Sequence, residues 1–563
     1  MIAELTPGLI LVLGGLLLPL VPTRARNAFM LALPLVGFWQ LLQLPDGTVQ
    51  TLEVMGLTLT PLRVDRLSLL FGYIFHLAAF LTALYAFGLK DLREQVAAMV
   101  YAGAAIAALF AGDLVTLFIY WELTAVASVF LIWARGTEGA FRAGMRYLII
   151  QVGSGVVLLA GLAVHYLATD SIAFGALGLD TPGGTLIFIA FGIKCAFPLL
   201  HNWLQDAYPE ATITGTVFLS AFTTKLAVYA LARGYAGTES LIWIGALMTV
   251  FPIFYAVIEN DLRRVLAYSL NNQLGFMVVG IGVGTELALN GTAAHAFAHI
   301  LYKALLFMSV GAVLLRAGTA KGSELGGLYK SMPWSAAFCI VGAASISAFP
   351  FFSGFVTKAL IMSATAQNGY LWISLVLLFA SAGVVEHAGI KIPRFAFFGH
   401  DAGIRVAEAP RAMLLAMGIT AALCIAIGVY PAPLYAILPF PVDYAPYTVT
   451  HVMTQLQLLL FAVLAVAVLV RTGFYPAELH STNLDSDWVY RRALPAMLAG
   501  LRAVGGRARD VVGGGVTRRG LAGYEALYRR YGPHGPLAGQ WPTGSMALWV
   551  AALLAAALLL YYL

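Results

Sequence analysis

The chain has 563 residues, of which 60% are hydrophobic and 11% charged, with a formal net charge of +6 and a mean hydropathy of +0.85. A water-soluble domain carries about 25% charged residues, so this composition excludes a soluble globular protein and indicates a multi-pass membrane protein. The three cysteines, Cys195, Cys339 and Cys424, are isolated within apolar runs, which leaves no iron–sulfur or paired-cysteine motif.

In chain order, sixteen apolar runs are long enough to cross ~30 Å of hydrocarbon at ~1.5 Å per residue. They cover 5–21, 28–44, 66–89, 96–111, 113–134, 145–168, 184–205, 211–232, 240–258, 264–284, 289–315, 333–360, 369–390, 411–430, 453–471 and 546–563. The first run has no cleavage-site pattern ahead of a soluble domain and reads as a span. With the N-terminus outside, the connections that face inward carry 26 Lys and Arg and the outer ones only Arg63, Arg66 and Arg233. That bias predicts both termini outside. The positive charge is thereby explained as topology, without nucleic acid. The four remaining basic residues, Lys194, Lys225, Lys303 and Lys358, all fall inside spans.

An ionisable side chain at membrane depth is expensive and usually faces the protein interior. Lysines near span ends also snorkel, and that bland reading applies to any single one. Four together, with no intramembrane arginine, point to a releasable proton. Desolvated lysine gives up its proton near neutrality, whereas arginine does not.

Glu122, in FIYWELTAVASVF, is an acid within an apolar span. A buried carboxylate is protonated or paired, and Lys194 is its candidate partner. Lys194 lies in FGIKCAFPLLHNW, where Pro198 must break the helix at membrane depth. Lys225 follows one span later. In HAFAHILYKALLF, His295, His299 and Lys303 recur every fourth residue, which places them ~6 Å apart along one helix face. Such a row suits proton relay through intervening water, although buried histidines also occur simply hydrogen-bonded in cores. The row lacks the acidic neighbour and the HExxH pattern of a zinc site. The tripeptide Ala196-Phe197-Pro198 returns as Ala348-Phe349-Pro350, just before Lys358. Two interruptions five spans apart fit an inverted repeat of spans 4–8 and 9–13, a transporter design.

On these residues the chain resembles the antiporter-like subunit family shared by Mrp-type cation/proton antiporters, respiratory complex I and membrane-bound hydrogenases. The matching pieces are WEL at 121–123, IKCAFPLLHNWLQDAYPEA at 193–211, TKLAVYAL at 224–231, DLRRVLAYSLNNQLG at 261–275, HAFAHILYKALLF at 295–307 and FPFFSGFVTK at 349–358. The resemblance implies an all-α fold with fourteen core transmembrane helices. Two inverted five-helix repeats lie within them, helices seven and twelve are broken at Pro198 and Pro350, and about two extra helices follow. It also implies that Glu122, Lys194, Lys225, His295, His299, Lys303 and Lys358 form a polar axis for protons. EHAGIKIPRFAFFG, 386–399, is similar to the Mrp branch of the family and adds Glu386, His387 and Lys391 as further candidates.

The expected organisation is three N-terminal helices (1–94), a first bundle (95–236), an inverted second bundle (237–400) and C-terminal helices (401–471). An Arg/Gly-rich inner-surface segment (472–545) and a last span (546–563) complete it. Glycines at 500, 505, 506, 513–515, 520 and 523 argue against one long helix in that segment, and Trp488, Tyr490, Tyr524, Tyr528 and Tyr531 suit a position on headgroups or a neighbour. The expected function is proton translocation in a multisubunit Na⁺/proton antiporter of a bacterial inner membrane. Its partners would be other membrane subunits, protons, Na⁺ and lipid. The alternatives are a pump subunit of a redox-driven complex and a scaffold that keeps the fold without conducting ions. No P-loop or dinucleotide fingerprint is present, so neither an enzymatic activity nor a cofactor of its own is expected.

Overall fold

The computed structural model describes residues 5–476, 485–532, 535–536 and 543–562; of the side chains within those ranges, those of 490, 507–516 and 543 lie outside the description. The chain divides into two compact units, 1–483 and 484–563.

The first unit opens with α1 (Leu9–Leu17), extended by a 3-10 turn, and α2 (Thr23–Leu42). A hairpin of β1 (Val49–Val54) and β2 (Leu57–Arg63) follows, antiparallel with a bulge between Gln50 and Leu52. Next come α3 (Arg66–Tyr85), α4 (Leu92–Leu109), α5 (Leu114–Trp133) and α6 (Glu138–Thr169). The chain continues through α7 (Gly184–Cys195), α8 (Asn202–Ala207), α9 (Ile213–Ala221), α10 (Thr223–Gly234), α11 (Ser240–Ile258) and α12 (Leu262–Val283). Then come α13 (Glu286–Ala317), α14 (Pro333–Ile346), α15 (Ser353–Gln367) and α16 (Leu371–Val384). Two π-helical stretches, Val385–Ile390 and Arg394–Phe398, flank the single turn α17 (Lys391–Pro393). The unit ends with α18 (Arg411–Val429), α19 (Ala432–Ala436) and α20 (Val449–Thr472).

All sixteen expected spans are helical. Twelve helices among the described residues are long and apolar enough to cross a membrane. The four that fall short are instructive: the first is short, two are broken, and α12 carries Arg263, Arg264, Asn271, Asn272 and Gln273. The expected count of fourteen core helices is therefore not reproduced by length and composition, which miss helices whose polar groups or breaks lie inside the protein.

Both interruptions are present, and they repeat closely in the backbone. Ala196 and Leu199 take left-handed conformations at φ 61° and 69°, and Ala348 and Phe351 do so at 56° and 73°. The amide of Phe197 donates to Gly192 O and that of Phe349 to Ala344 O, each at 3.0 Å, closing the same wide turn. Pro198 and Pro350 lack a donor, so each helix stops where its sequence requires. A third interruption was not expected. The run at 211–232 bends at Phe222, where the Thr223 amide leaves the helical ladder and donates to the Tyr101 hydroxyl at 3.0 Å.

Other features also match across the two halves. Asp113 caps α5 and Asp261 caps α12, and each helix start is pinned by a bond from its first amide, Leu114 N to Ile172 O and Leu262 N to Ala320 O. Thr137 caps α6 and Thr285 caps α13, both 32 residues long. Their surroundings differ. The most apolar stretch of α13 is 89% buried and that of α6 only 39%. α13 is central, packed by α3, α9, α12, α14, α15 and α18, so a polar row on it has no lipid to face.

At the hairpin end, Asp65 ties α3 to α10 through Arg233, 2.8 Å away. Burial alone would raise the Asp65 carboxyl, but Arg233 and the Ser68 amide hold it below its ordinary value.

The second unit contains a π-turn (Val489–Ala493) leading into α21 (Leu494–Tyr531), and α22 (Thr543–Tyr562). The expectation that the glycines would interrupt this segment is wrong: α21 is continuous for 38 residues. A glycine costs a helix about 1 kcal/mol relative to alanine but does not forbid it, and the intervening Leu, Ala and Arg favour it. Residues 477–484, part of the expected surface segment, lie outside the described residues.

Candidate functional site

All four intramembrane lysines are buried, each 1% exposed or less. None has a carboxylate within ion-pair distance among the described residues. Each donates to a backbone carbonyl instead. Lys194, in the last turn of α7, donates to Trp121 O at 2.5 Å and Thr124 Oγ1 at 3.0 Å, with its ammonium 4.3 Å from the Trp121 ring centre. Lys225 turns back to Ser220 O at 2.6 Å, a carbonyl just before the bend at Phe222. Lys303 reaches Leu266 O at 3.4 Å and Ser269 Oγ at 2.9 Å on α12. Lys358 donates to Ile346 O at 3.2 Å, at the open C-terminus of α14, and lies 4.9 Å from the Phe276 ring centre. A broken helix leaves carbonyls without intrahelical partners and a partial negative charge at that end, which suits a cation.

Glu122 and Lys194 are adjacent but not in direct contact as an ion pair. Glu122 is half-buried on α5, and its Oε1 has no hydrogen-bond partner among the described residues. It fills the space left by Gly155 on α6, where a Cβ would come within 1.6 Å of that oxygen. The two charges lie within electrostatic reach of each other.

The histidine row is buried along α13. The rings of His295 and His299 are 6.3 Å apart, and that of Tyr302 stands 5.2 Å from His299. His295 is anchored: Nδ1 meets Thr357 Oγ1 at 3.2 Å and Nε2 meets Gln273 Oε1 at 3.1 Å, an oxygen that also accepts from the Tyr302 hydroxyl at 3.2 Å. Among the described residues, His299 has no hydrogen-bond partner at either ring nitrogen. It lies within electrostatic reach of Lys225, Lys303, Lys358 and His295. His387 in the π-helical turn is within reach of Lys303, Lys358 and Lys391.

The candidates thus fall into two groups. Glu122 and Lys194 form one; Lys225, His295, His299, Lys303, Lys358 and His387 form the other. Cys195 follows Lys194 in sequence and lies within electrostatic reach of Lys225, so it neighbours both groups. Lys391 and Glu386 have different surroundings. Lys391 donates to Ala256 O, Val257 O and Glu259 O at 3.2, 2.6 and 2.7 Å, capping the C-terminus of α11. Glu386 accepts from the Tyr475 hydroxyl at 2.6 Å. The sequence reading missed Thr124, Ser269, Gln273, Thr357 and Gly155. Thr124, Ser269, Gln273 and Thr357 stand in the quoted stretches, and Gln273 and Thr357 directly adjoin Asn272 and Lys358, which was the available signal.

Residues 111–383 match the family described as NADH:quinone oxidoreductase/Mrp antiporter, transmembrane. These residues carry that family's module. It is 31% identical over 316 residues to an Na(+)/H(+) antiporter subunit of Alkalihalophilus pseudofirmus, covering 52% of this chain and 63% of that protein. It is 27% identical over 416 residues to hydrogenase-4 component B of Escherichia coli, covering 65% of this chain and 62% of the relative. The chain thus spans somewhat over three fifths of these two relatives. Its fold is that of a subunit of the membrane-bound sulfane sulfur reductase, an archaeal respiratory membrane complex: the TM-score is 0.72 at 21% identity, over 99% of this chain and 100% of that one. The family module contains Glu122, all four lysines and both helix breaks.

Proposed function

We propose that this chain is the proton-translocating subunit of a multisubunit monovalent cation/proton antiporter, with Na⁺ the exchanged cation. The observation that carries the reading is the set of four buried lysines held by carbonyls and hydroxyls. Such a lysine loses no countercharge when its proton leaves, and arginine could not take its place. Protons pass from Glu122 and Lys194 through Lys225 to the Lys303, His299 and Lys358 cluster, with His295 orienting the row. The first group lies in the bundle 95–236, and the second joins Lys225 of that bundle to residues of the bundle 237–400. The likeness to an Na(+)/H(+) antiporter subunit supports the cation, and the Lys/Arg bias supports a bacterial inner-membrane location with both termini outside.

Glu122 supports the multisubunit assembly. It lies on the face of α5 that also turns Ile119 and Val126 outward. A carboxylate facing lipid is costly, so a neighbouring membrane subunit covers that face. The test is Lys358→Arg, measured as cation-coupled proton flux in vesicles. Flux is expected to fall by about two orders of magnitude, within the range for loss of a proton-transfer group. Flux near wild type would show that Lys358 supplies only fixed charge.

A second reading, a pump subunit of a redox-driven complex, is favoured by two observations: the likeness to hydrogenase-4 component B, and a respiratory-complex subunit whose fold matches 99% of this chain, including the tail. Identifying the chains that copurify separates the two readings. Small membrane subunits support the antiporter; iron–sulfur subunits support the pump.

A further inference from the structure

A groove on the flank of the first unit belongs to none of this machinery. Its volume is about 590 Å³, and it runs between α14, the irregular turns from Val385 to Phe398, and α20. Its walls are apolar, with Ala344, Phe352, Ile390, Leu459 and Val463 among them. The π-helical turns widen one wall. Gly389 keeps the floor open, since a Cβ there would lie 2.3 Å from Ser347 Oγ. Beside the groove, α20 turns Leu460 and Phe461 outward, each 65% exposed, as a lipid-facing helix does.

Two polar groups interrupt this lining. Arg394 lines the groove, and its guanidinium has no carboxylate or carbonyl partner among the described residues; it lies 5.8 Å from the centre of the Phe395 ring. Ser347 is 5% exposed, lines the groove, and its hydroxyl has no hydrogen-bond partner among the described residues. Arg394 belongs to the connection with the inward Lys/Arg excess, the face where anionic headgroups attract basic residues.

We propose that this groove binds an anionic phospholipid, which lays one acyl chain between α14 and α20 and sets its phosphate on Arg394. The apolar walls suit the chain, and the guanidinium fork matches phosphate oxygens. The uncompensated charge selects an anionic headgroup over a zwitterionic one. The groove is also lined by Ser347, Phe349 and Phe352 at the second helix break, which begins one position beyond the Ile346 carbonyl that holds Lys358. A bound chain therefore braces the break. The proposal needs only that the chain spans a membrane and does not depend on which ion is moved.

The test uses the full chain, purified in mild detergent, stripped of lipid and titrated with phosphatidylglycerol or phosphatidylcholine, with bound lipid counted by native mass spectrometry. Wild type is expected to retain phosphatidylglycerol several-fold better than phosphatidylcholine. Arg394→Gln is expected to lose that preference while phosphatidylcholine binding stays unchanged. Ala344→Phe, which fills the groove, should lose retention of phosphatidylglycerol; Leu459→Trp does the same from the opposite wall if the first variant folds poorly. Equal retention of the two lipids by wild type would overturn the proposal. So would a preference that survives Arg394→Gln, or undiminished binding in a well-folded groove-filled variant, which would place the lipid elsewhere. Absence of bound lipid, with cross-links from Leu459 to the tail or to a neighbouring subunit, would assign the groove to protein and also overturn it.

Discussion

Lys194 and Lys303 are held in the same way in two halves of the chain. Each donates to a carbonyl and to the hydroxyl three residues further on, Trp121 and Thr124 of α5 in one case, Leu266 and Ser269 of α12 in the other. The halves part company in what titrates beside the lysine. The first has a carboxylate, Glu122, seated against Gly155; the second has no acid there, and Lys303 occupies on α13 the place that Gly155 occupies on α6. The same number of residues separates Asp113 from Asp261, Thr137 from Thr285, and Gly155 from Lys303. One backbone scaffold thus carries two chemistries, an acid beside a base and a row of imidazoles with amines. The breaks differ likewise. The Trp203 indole donates to Ile193 O at 2.9 Å in the first, and Lys358 serves Ile346 O in the second.

The sharpest way to break the comparison is to freeze one lysine at a time. Lys194→Arg and Lys303→Arg are each expected to lower proton flux by about 100-fold, since removing a proton-transfer group costs about 10²–10⁴. Loss in only one variant would mean that the halves do not share a path. Next in size is the acid. Glu122→Gln is expected to reduce flux by at least ~10-fold, and Gly155→Ala by a smaller factor, because a methyl group displaces the carboxylate. If Gly155→Ala behaves as wild type in vesicle flux, the seat on α6 is incidental.

Much of this was legible in the residues, and the reasons differ by element. The apolar runs located sixteen helical stretches because lipid demands a largely apolar run, although four of them fall short of a span by length or composition. The repeated Ala-Phe-Pro located both wide-turn breaks because proline cannot donate. The bend at Phe222 carried no such mark, being made by a tyrosine hydroxyl from α4. The lysines and histidines were visible as charges in apolar runs. Their anchors were not, since a backbone carbonyl has no signature in sequence and Thr124 or Ser269 looks like any helical hydroxyl. The glycines of α21 misled because propensity is a weak prior.

A finer comparison lies within the histidine row. His299, with no protein partner, is expected to give about a tenfold slower flux and an altered pH profile as His299→Gln, while unfolding at the wild-type temperature. His295, tied to Thr357 and Gln273, is expected to lose stability as well when changed to alanine, because buried partners are left unsatisfied at about 1–3 kcal/mol. Equal melting temperatures for the two variants would remove the distinction. The smallest effects are expected from Thr124→Val and Ser269→Ala. Each removes one hydrogen bond from an ammonium and is expected to change flux by about three- to tenfold, with the pH profile moving in the same direction in both. Opposite shifts would show that the shared geometry is not a shared function.

The absence of carboxylates around Lys225, Lys303 and Lys358 among the described residues also bears on what this row excludes. A sodium ion ~6 Å from a charged amine at an effective dielectric of ~20 is raised by about 3 kcal/mol, and successive amines add to that barrier. A proton avoids the penalty by joining the amine instead of standing beside it. On the proposed reading the row is a filter as well as a wire. Metal cations exchanged against its protons would have to cross by a separate route, nearer Glu122 or in a neighbouring subunit.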